Sequence, residues 1–208
     1  TATEAGAKLV EGRVPDKDAR GLANSTKAGL VCLGKTHMSE LAFSGLGLNP
    51  VAATPPNVND PALVPGGSSS GAAASVAHDL AACGIGSDTG GSVRIPSAWN
   101  DLVGLKTTSG RLSNAGVVPL CPRFDTVGPL SRTVEDCAHI LAALEGGKSA
   151  ELMRVSLCGL RFGAVQTVAM DDVRDAPKKA YCDAIDRLKQ AGAVIEPFDA
   201  PELTAAFP

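Results

Sequence analysis

Aromatic residues are scarce: one Trp, one Tyr and five Phe make up 3% of the 208 residues. That is too few to build the stacking platforms that hold single-stranded nucleic acid. Charge of one sign is missing as well, because 19 Lys and Arg face 22 Asp and Glu, for a net charge of −3. The two signs alternate along the whole length, so no basic stripe for nucleic acid can form. No apolar run approaches the roughly 18 residues of a membrane span, and no charged-then-apolar leader is visible. A soluble, cytoplasmic protein with no nucleic-acid or membrane partner is expected. Cys32, Cys83, Cys121, Cys137, Cys158 and Cys182 form no C-x-x-C pair and have no His at ligand spacing. Most have apolar neighbours, which predicts buried free thiols and no metal.

Small residues are abundant, with 23 Gly, 14 Pro and many Ala, which implies tight turns and close packing of helices on a sheet. Hydrophobic residues at 44% and charged residues at 20% predict a packed core, in one domain over residues 1–208. The first residue is Thr and the closing "DAPELTAAFP" carries no helix or strand signal, so an excerpt of a longer chain is expected. "VPDKDARGLANSTKAG" reads as a helix, "LVCLG" as a short buried strand and "THMSELAFSG" as another short helix. Residues 46–70 are rich in Pro, Asn, Gly and Ser without periodicity, which predicts a long ordered loop. "AAASVAHDL" then predicts a helix and "AACGIGS" a buried strand. "RTVEDCAHILAALEG" is an amphipathic helix with Thr133 at its start, Val134, Cys137, Ile140, Leu141 and Leu144 on one face, and Gly146 past its end. "LRFGAV", "APKKAYCDAIDRLKQAG" and "AVIEPF" predict a parallel, right-handed strand-helix-strand unit.

"GLVCLGKT", from Gly29 to Thr36, fits the G-x-x-x-x-G-K-[ST] pattern of a phosphate-binding loop. Its context does not. Leu30, Val31, Cys32 and Leu33 are strand residues where the loop needs a Gly-rich turn, and what precedes Gly29 reads as a helix. A chance match is the reading to keep.

Two other blocks are more specific. "PGGSSSGAAASVA" spans Pro65 to Ala77, and "GSDTGGSVRIPSAWNDLVGLKTTSGRLS" spans Gly86 to Ser113. Read without the second block, "GGSSSG" would do for a flexible loop. With the second block, with "DTVGPLSRTVEDCA" from Asp125 to Ala138, and with "EGRVPDKDA", "GKTHMSELAFSG" and "LRFGAV", the chain resembles the amidase signature family of serine hydrolases over nearly its whole length. The resemblance implies an α/β fold, a mixed and largely parallel sheet with helices on both faces. It also implies a Ser–cis-Ser–Lys triad in which Ser92 is the nucleophile and Ser68, 24 residues earlier, is the proton-relaying residue after a cis peptide bond.

The residues suit those roles. Gly66 and Gly67 allow unusual backbone paths beside Ser68 and Ser69. Gly90 and Gly91 leave amides uncovered, so the N–H groups of Thr89, Gly90, Gly91 and Ser92 are the expected oxyanion hole. The helix after Gly71 turns its positive end toward the site. Asp88 and Arg94 flank the nucleophile, and a buried ion pair fixing this turn is expected. The base would be a lysine of an earlier G-V-x-V-x-x-K-D type motif, which the resemblance places ahead of Thr1; Lys35 and Lys8 fall at other positions.

Two departures from the family pattern are His37, where Asn is usual, and "SAWNDLVGLK", where an aromatic-Cys-Gly is common. His37, His78 and His139 do not cluster and are expected to be satisfied structural residues. The implied activity is hydrolysis of a small-molecule carboxylic amide through an acyl-enzyme, without metal or organic cofactor. Two alternatives stand beside it: a glutaminase-type subunit of an amidotransferase complex, and a non-catalytic amidase-like fragment. Oligomeric state stays open, a homodimer included.

Overall fold

In chain order the elements are α1 (Arg20–Lys27), α2 (Ser70–Ala77), β1 (Gly84–Asp88), α3 (Arg94–Trp99), β2 (Val103–Gly104), β3 (Thr126–Ser131), α4 (Val134–Glu145), β4 (Arg161–Val165), α5 (Asp175–Gln190), β5 (Val194–Phe198) and α6 (Pro201–Ala205). The computed structural model describes residues 1–148 and 151–206. They fall into two units, Thr1–Leu152 and Met153–Pro208.

The first unit is built on β3. It is the middle strand of a sheet ordered β1-β3-β2 and is antiparallel to both neighbours. All six of its residues are buried, as a central strand covered on two sides requires. Side chains alternate along a strand, so Val127 and Leu130 point to opposite faces. Leu130 packs with Ala72, Ala73 and Val93, which puts α2 on one face. Val127 packs with Leu112 and Leu144, which puts α4 on the other. The run of alanines in α2 lets that helix lie close to β1. Helix α1 lies against α4 and shares its boundary at Asn24, whose Nδ2 donates to the Leu144 carbonyl at 2.9 Å.

Helix α4 follows its sequence pattern. Thr133 caps it by accepting from the Asp136 amide at 3.0 Å, and Gly146 ends it in the left-handed region at φ +76°. Cys137 and Leu144 are buried and Ile140 and Leu141 half-buried; Val134, at the first turn, is 65% exposed. In the second unit β4 and β5 pair in parallel, Arg161 opposite Val194 through Val165 opposite Phe198, with α5 as the connection. That is the expected strand-helix-strand unit.

The α/β class holds, and the two kinds of pairing together make it mixed. Among the described residues, however, parallel pairing is confined to β4 and β5, and the sheet of the first unit is antiparallel. The link from β2 to β3, residues 105–125, is irregular and carries no helix of the kind that usually returns a chain for a parallel pair.

Other local expectations are corrected. "LVCLG" finds no ladder partner among the described residues, and Val31 and Leu33 are 81% and 76% exposed. "THMSELAFSG" holds only a 3₁₀ turn, Glu40–Ala42, because Leu41 and Ala42 adopt positive φ and a right-handed helix cannot run through them. Helix α1 starts at Arg20, five residues after Pro15, while residues 46–69 form the long irregular loop that was expected. The closing segment does carry a short helix, α6, with Pro201 in its first turn. Of the cysteines only Cys137 is buried, and Cys32, Cys158 and Cys182 are exposed; an apolar neighbour in sequence does not place a side chain in a core. His37, His78 and His139 are all exposed, because each sits in a loop, at a helix end or on an outer helix face.

Removing the α4 cap should be measurable. In the full-length protein Thr133→Ala should cost about 1 kcal/mol and lower the melting temperature by about 2–4 °C, with Thr133→Ser near wild type.

Candidate active site

Strand β1 delivers its last residue, Asp88, to the start of a turn, and α3 begins at Arg94 on the far side of it. Asp88 is fully buried, and its carboxylate organises everything between. Oδ1 accepts from the Gly91 amide at 2.9 Å, and Oδ2 accepts from the amides of Val93 and Arg94 at 3.1 and 3.3 Å. Arg94 closes a two-point pair, Nε to Oδ2 at 3.1 Å and Nη2 to Oδ1 at 3.0 Å. Burial pushes the Asp88 carboxyl up, but the Arg94 guanidinium and the amides outweigh it and hold the carboxyl below its ordinary range. The expected ion pair is present and only half buried, since the Arg94 side chain is 52% exposed.

The second strip runs Pro65 to Ser69, all buried, into the start of α2. The peptide bond between Gly67 and Ser68 is cis. Gly66 and Gly67 donate to the carbonyls of Leu46 and Gly45 at 3.0 and 2.8 Å, and the Ser68 carbonyl accepts from the Ser39 amide at 3.1 Å. There is no room for a side chain at Gly67, where a Cβ would come within 2.6 Å of the Gly47 amide nitrogen.

The two strips touch directly. The Ser69 amide donates to the Ser92 carbonyl at 3.2 Å, and the Ser69 hydroxyl bridges the backbone of Ser87 on β1, 3.3 Å from both its nitrogen and its oxygen. Ser92 itself is half-buried. The hydroxyls of Ser68 and Ser70 are buried and have no hydrogen-bond partner among the described residues. An unmade bond of that kind costs about 1–3 kcal/mol; Asn114 Oδ1 and Thr167 Oγ1 share the condition, but only the two serine oxygens lie on this strip.

Of the four amides read as an oxyanion hole, Gly91's is already committed to Asp88. Those of Thr89, Gly90 and Ser92 donate to no acceptor among the described residues. Gly90 is exposed and a Cβ on it would meet nothing within 4 Å, so its peptide is open to an approaching group. Gly29 turns the chain at φ +96°, and from Val31 to Thr36 the segment is exposed and irregular, with no helix beneath it; the Lys35 ammonium donates to the Thr1 carbonyl at 2.9 Å and to the Thr3 hydroxyl. It is no phosphate cradle.

A family model described as Amidase matches residues 1–208. The chain belongs to the amidase family. Among its relatives, 2-amino-5-chloromuconic acid deaminase of Comamonas testosteroni is 43% identical over 183 residues, covering 85% of this chain and 39% of that protein. A glutamyl-tRNA(Gln) amidotransferase subunit of Carboxydothermus hydrogenoformans is 36% identical over 219 residues, covering 99% and 45%. Among solved structures, the corresponding amidotransferase subunit from Thermotoga maritima superposes with a TM-score of 0.88 at 28% identity, covering 98% of this chain and 48% of that one. The peptide amidase of Stenotrophomonas maltophilia gives 0.81 at 34%, covering 95% and 45%. This amidase chain thus spans less than half the length of the relatives it matches.

Sequence reasoning passed over three supports of the site. Asn100, fully buried in "SAWNDLVGLK", donates to the carbonyls of Pro65 and Pro96 at 2.7 and 2.8 Å and accepts from the Val58 amide at 3.0 Å. Asn57 ties the same loop to the Trp99 carbonyl at 3.0 Å. Asp125 accepts a hydroxyl from Thr89.

Arg94→Ala should lower both stability and turnover of the full-length protein. About 1–2 kcal/mol is expected, less than a fully buried pair would give because Arg94 is half exposed, or a melting temperature about 2–8 °C lower. Unchanged melting and turnover would remove the pair from the site. Because the Asp88 carboxyl is held low in the folded state, its stabilisation is present above the ordinary carboxylate range and is lost as pH falls through its folded value. Asp88→Asn should therefore flatten the acid limb of a melting-temperature profile.

Proposed function

We propose that the full-length protein hydrolyses a small-molecule carboxylic amide through an acyl-enzyme on Ser92. The observation that carries this is the Ser68 hydroxyl, fully buried, without a partner, and one residue from the backbone bond that joins its strip to Ser92. A buried hydroxyl left open fits a relay that hands on a proton.

In this reading the Ser92 hydroxyl attacks the amide carbonyl carbon while its proton passes through the Ser68 hydroxyl to a basic nitrogen. That nitrogen is the lysine that the family resemblance places ahead of Thr1, neutral when it accepts. The carbonyl oxygen takes up the displaced electron pair and is received by the amides of Gly90 and Ser92, with Thr89 beside them, each worth about 2.7–4 kcal/mol in comparable sites. Gly91 serves the turn through Asp88 and not the oxyanion. Collapse of the intermediate breaks the C–N bond, the amine leaves with the relayed proton, and water then cleaves the ester on Ser92. No step needs a metal or an organic cofactor. Six unpaired thiols fit a reducing compartment, so the cytoplasm is the proposed location.

The relatives named as amidotransferase subunits favour one further reading, in which the same serines release ammonia from glutamine for a partner protein. Glutamine turnover that depends on a co-purifying partner would select it.

The test is intact-protein mass after exposure to a fluorophosphonate. The full-length protein should gain one adduct, Ser92→Ala none, and Ser68→Ala should label at least about 100-fold more slowly, the scale of a lost general acid–base group. Folded wild-type protein that takes no adduct would turn the reading to a non-catalytic amidase relative.

A further inference from the structure

The turn from Thr89 to Ser92 is held from two sides, and only one of them is the Asp88–Arg94 pair. Strand β1 ends with Asp88 opposite Thr126, so Thr89 is the first residue past the ladder. Its hydroxyl donates to Asp125 Oδ1 at 2.5 Å. That carboxylate is 6% exposed and is fixed in turn by the Leu120 amide, 2.9 Å from Oδ2, and the Cys121 amide, 3.0 Å from both oxygens. No ion pair among the described residues includes Asp125. Its main-chain carbonyl accepts from Asn114 Nδ2 at 2.8 Å. A second bond runs the opposite way, from the Thr126 hydroxyl to the Asp88 carbonyl at 2.9 Å. Two Asp-Thr dipeptides, Asp88-Thr89 and Asp125-Thr126, thus clamp each other where β1 ends and β3 begins.

We infer that Asp125, acting through the Thr89 hydroxyl, is a positioning residue that aims the Thr89, Gly90 and Ser92 amides at the developing oxyanion. The inference rests on the hydrolase reading above and adds a residue to it. Asp88 consumes the amides on the exit side of the turn, those of Gly91, Val93 and Arg94. Of the amides left open, those of Thr89 and Gly90 lie on the entry side, where the Thr89 side chain is the anchor, and that of Ser92 sits between the committed amides of Gly91 and Val93. A hydroxyl bound to a carboxylate is a strong, short bond, and a β-branched residue has few χ1 choices, so holding the hydroxyl holds the backbone that carries it. A buried negative charge next to a turn that receives negative charge opposes that task electrostatically. Its benefit lies in geometry.

Four variants of the full-length protein test this: Thr89→Val, Thr89→Ser, Asp125→Asn and the double variant Thr89→Val/Asp125→Asn. Thr89→Val should lower kcat about 10-fold or more with KM nearly unchanged, the pattern of a contact realised only in the transition state. Thr89→Ser should recover to within about three-fold of wild type, because it keeps the hydroxyl. Asp125→Asn keeps an acceptor but not the charge, so it should lose less than Thr89→Val, and the double variant should be no slower than Thr89→Val, because both act through one bond. Hydrogen exchange over residues 84–99 reads the same clamp without turnover: the amides of Gly91 and Val93, which are bonded to Asp88 within the turn, should exchange faster in Thr89→Val than in Thr89→Ser. Wild-type kcat in Thr89→Val, equal loss in the Val and Ser variants, additive loss in the double variant, or equal exchange would each overturn the inference. Should Asp125→Asn fail to fold, the Thr89 pair decides alone. A wild-type protein that neither turns over amides nor labels at Ser92 refutes the hydrolase reading instead, and exchange then decides the clamp.

Discussion

A single buried carboxylate sets the geometry of this site. Asp88 accepts five donors, three backbone amides and two guanidinium nitrogens, and so satisfies a charge that would otherwise be costly to remove from water. The turn between β1 and α3 is wrapped around that charge. Because Asp88 is also the last ladder residue of β1, opposite Thr126, the turn inherits the rigidity of the antiparallel sheet. Catalytic groups on a loop need such backing, since a loop alone places side chains poorly.

The second serine strip is fixed by other means. Its backbone is tied to Leu46, Gly45, Ser39 and Ser92 by main-chain hydrogen bonds, with no buried charge among them. Only small residues permit this closeness. A Cβ at Gly71 would come within 2.5 Å of the His37 nitrogen, just as one at Gly67 would meet Gly47. At Gly67 and Gly71, glycine marks where backbone approaches backbone.

Much of this was legible from residues alone, where local chemistry decides. Thr133 and Gly146 bound α4 as read, and strand-helix-strand periodicity placed β4, α5 and β5. The motif blocks singled out Ser68 and Ser92, whose strips the structure joins through Ser69. What could not be read depended on distant partners. Val31 and Leu33 have strand-forming side chains, but a strand also needs a neighbour, which composition does not report. The commitment of the Gly91 amide follows from where the Asp88 carboxylate points, and Asp125 is 36 residues from Thr89 in sequence. Glycines next to Ser92 announce open amides without saying which of them are spoken for.

The asparagine tethers of the long loop separate two parts of its sequence. Asn49 binds the carbonyls of Gly6 and Met38, and Asn57 and Asn100 fasten the stretch ahead of Pro65 to the end of α3. Between these anchors most side chains from Pro50 to Leu63 face solvent. Substitutions at the exposed positions there alter the rim of the loop, while the tethers hold the serine strip behind them in register.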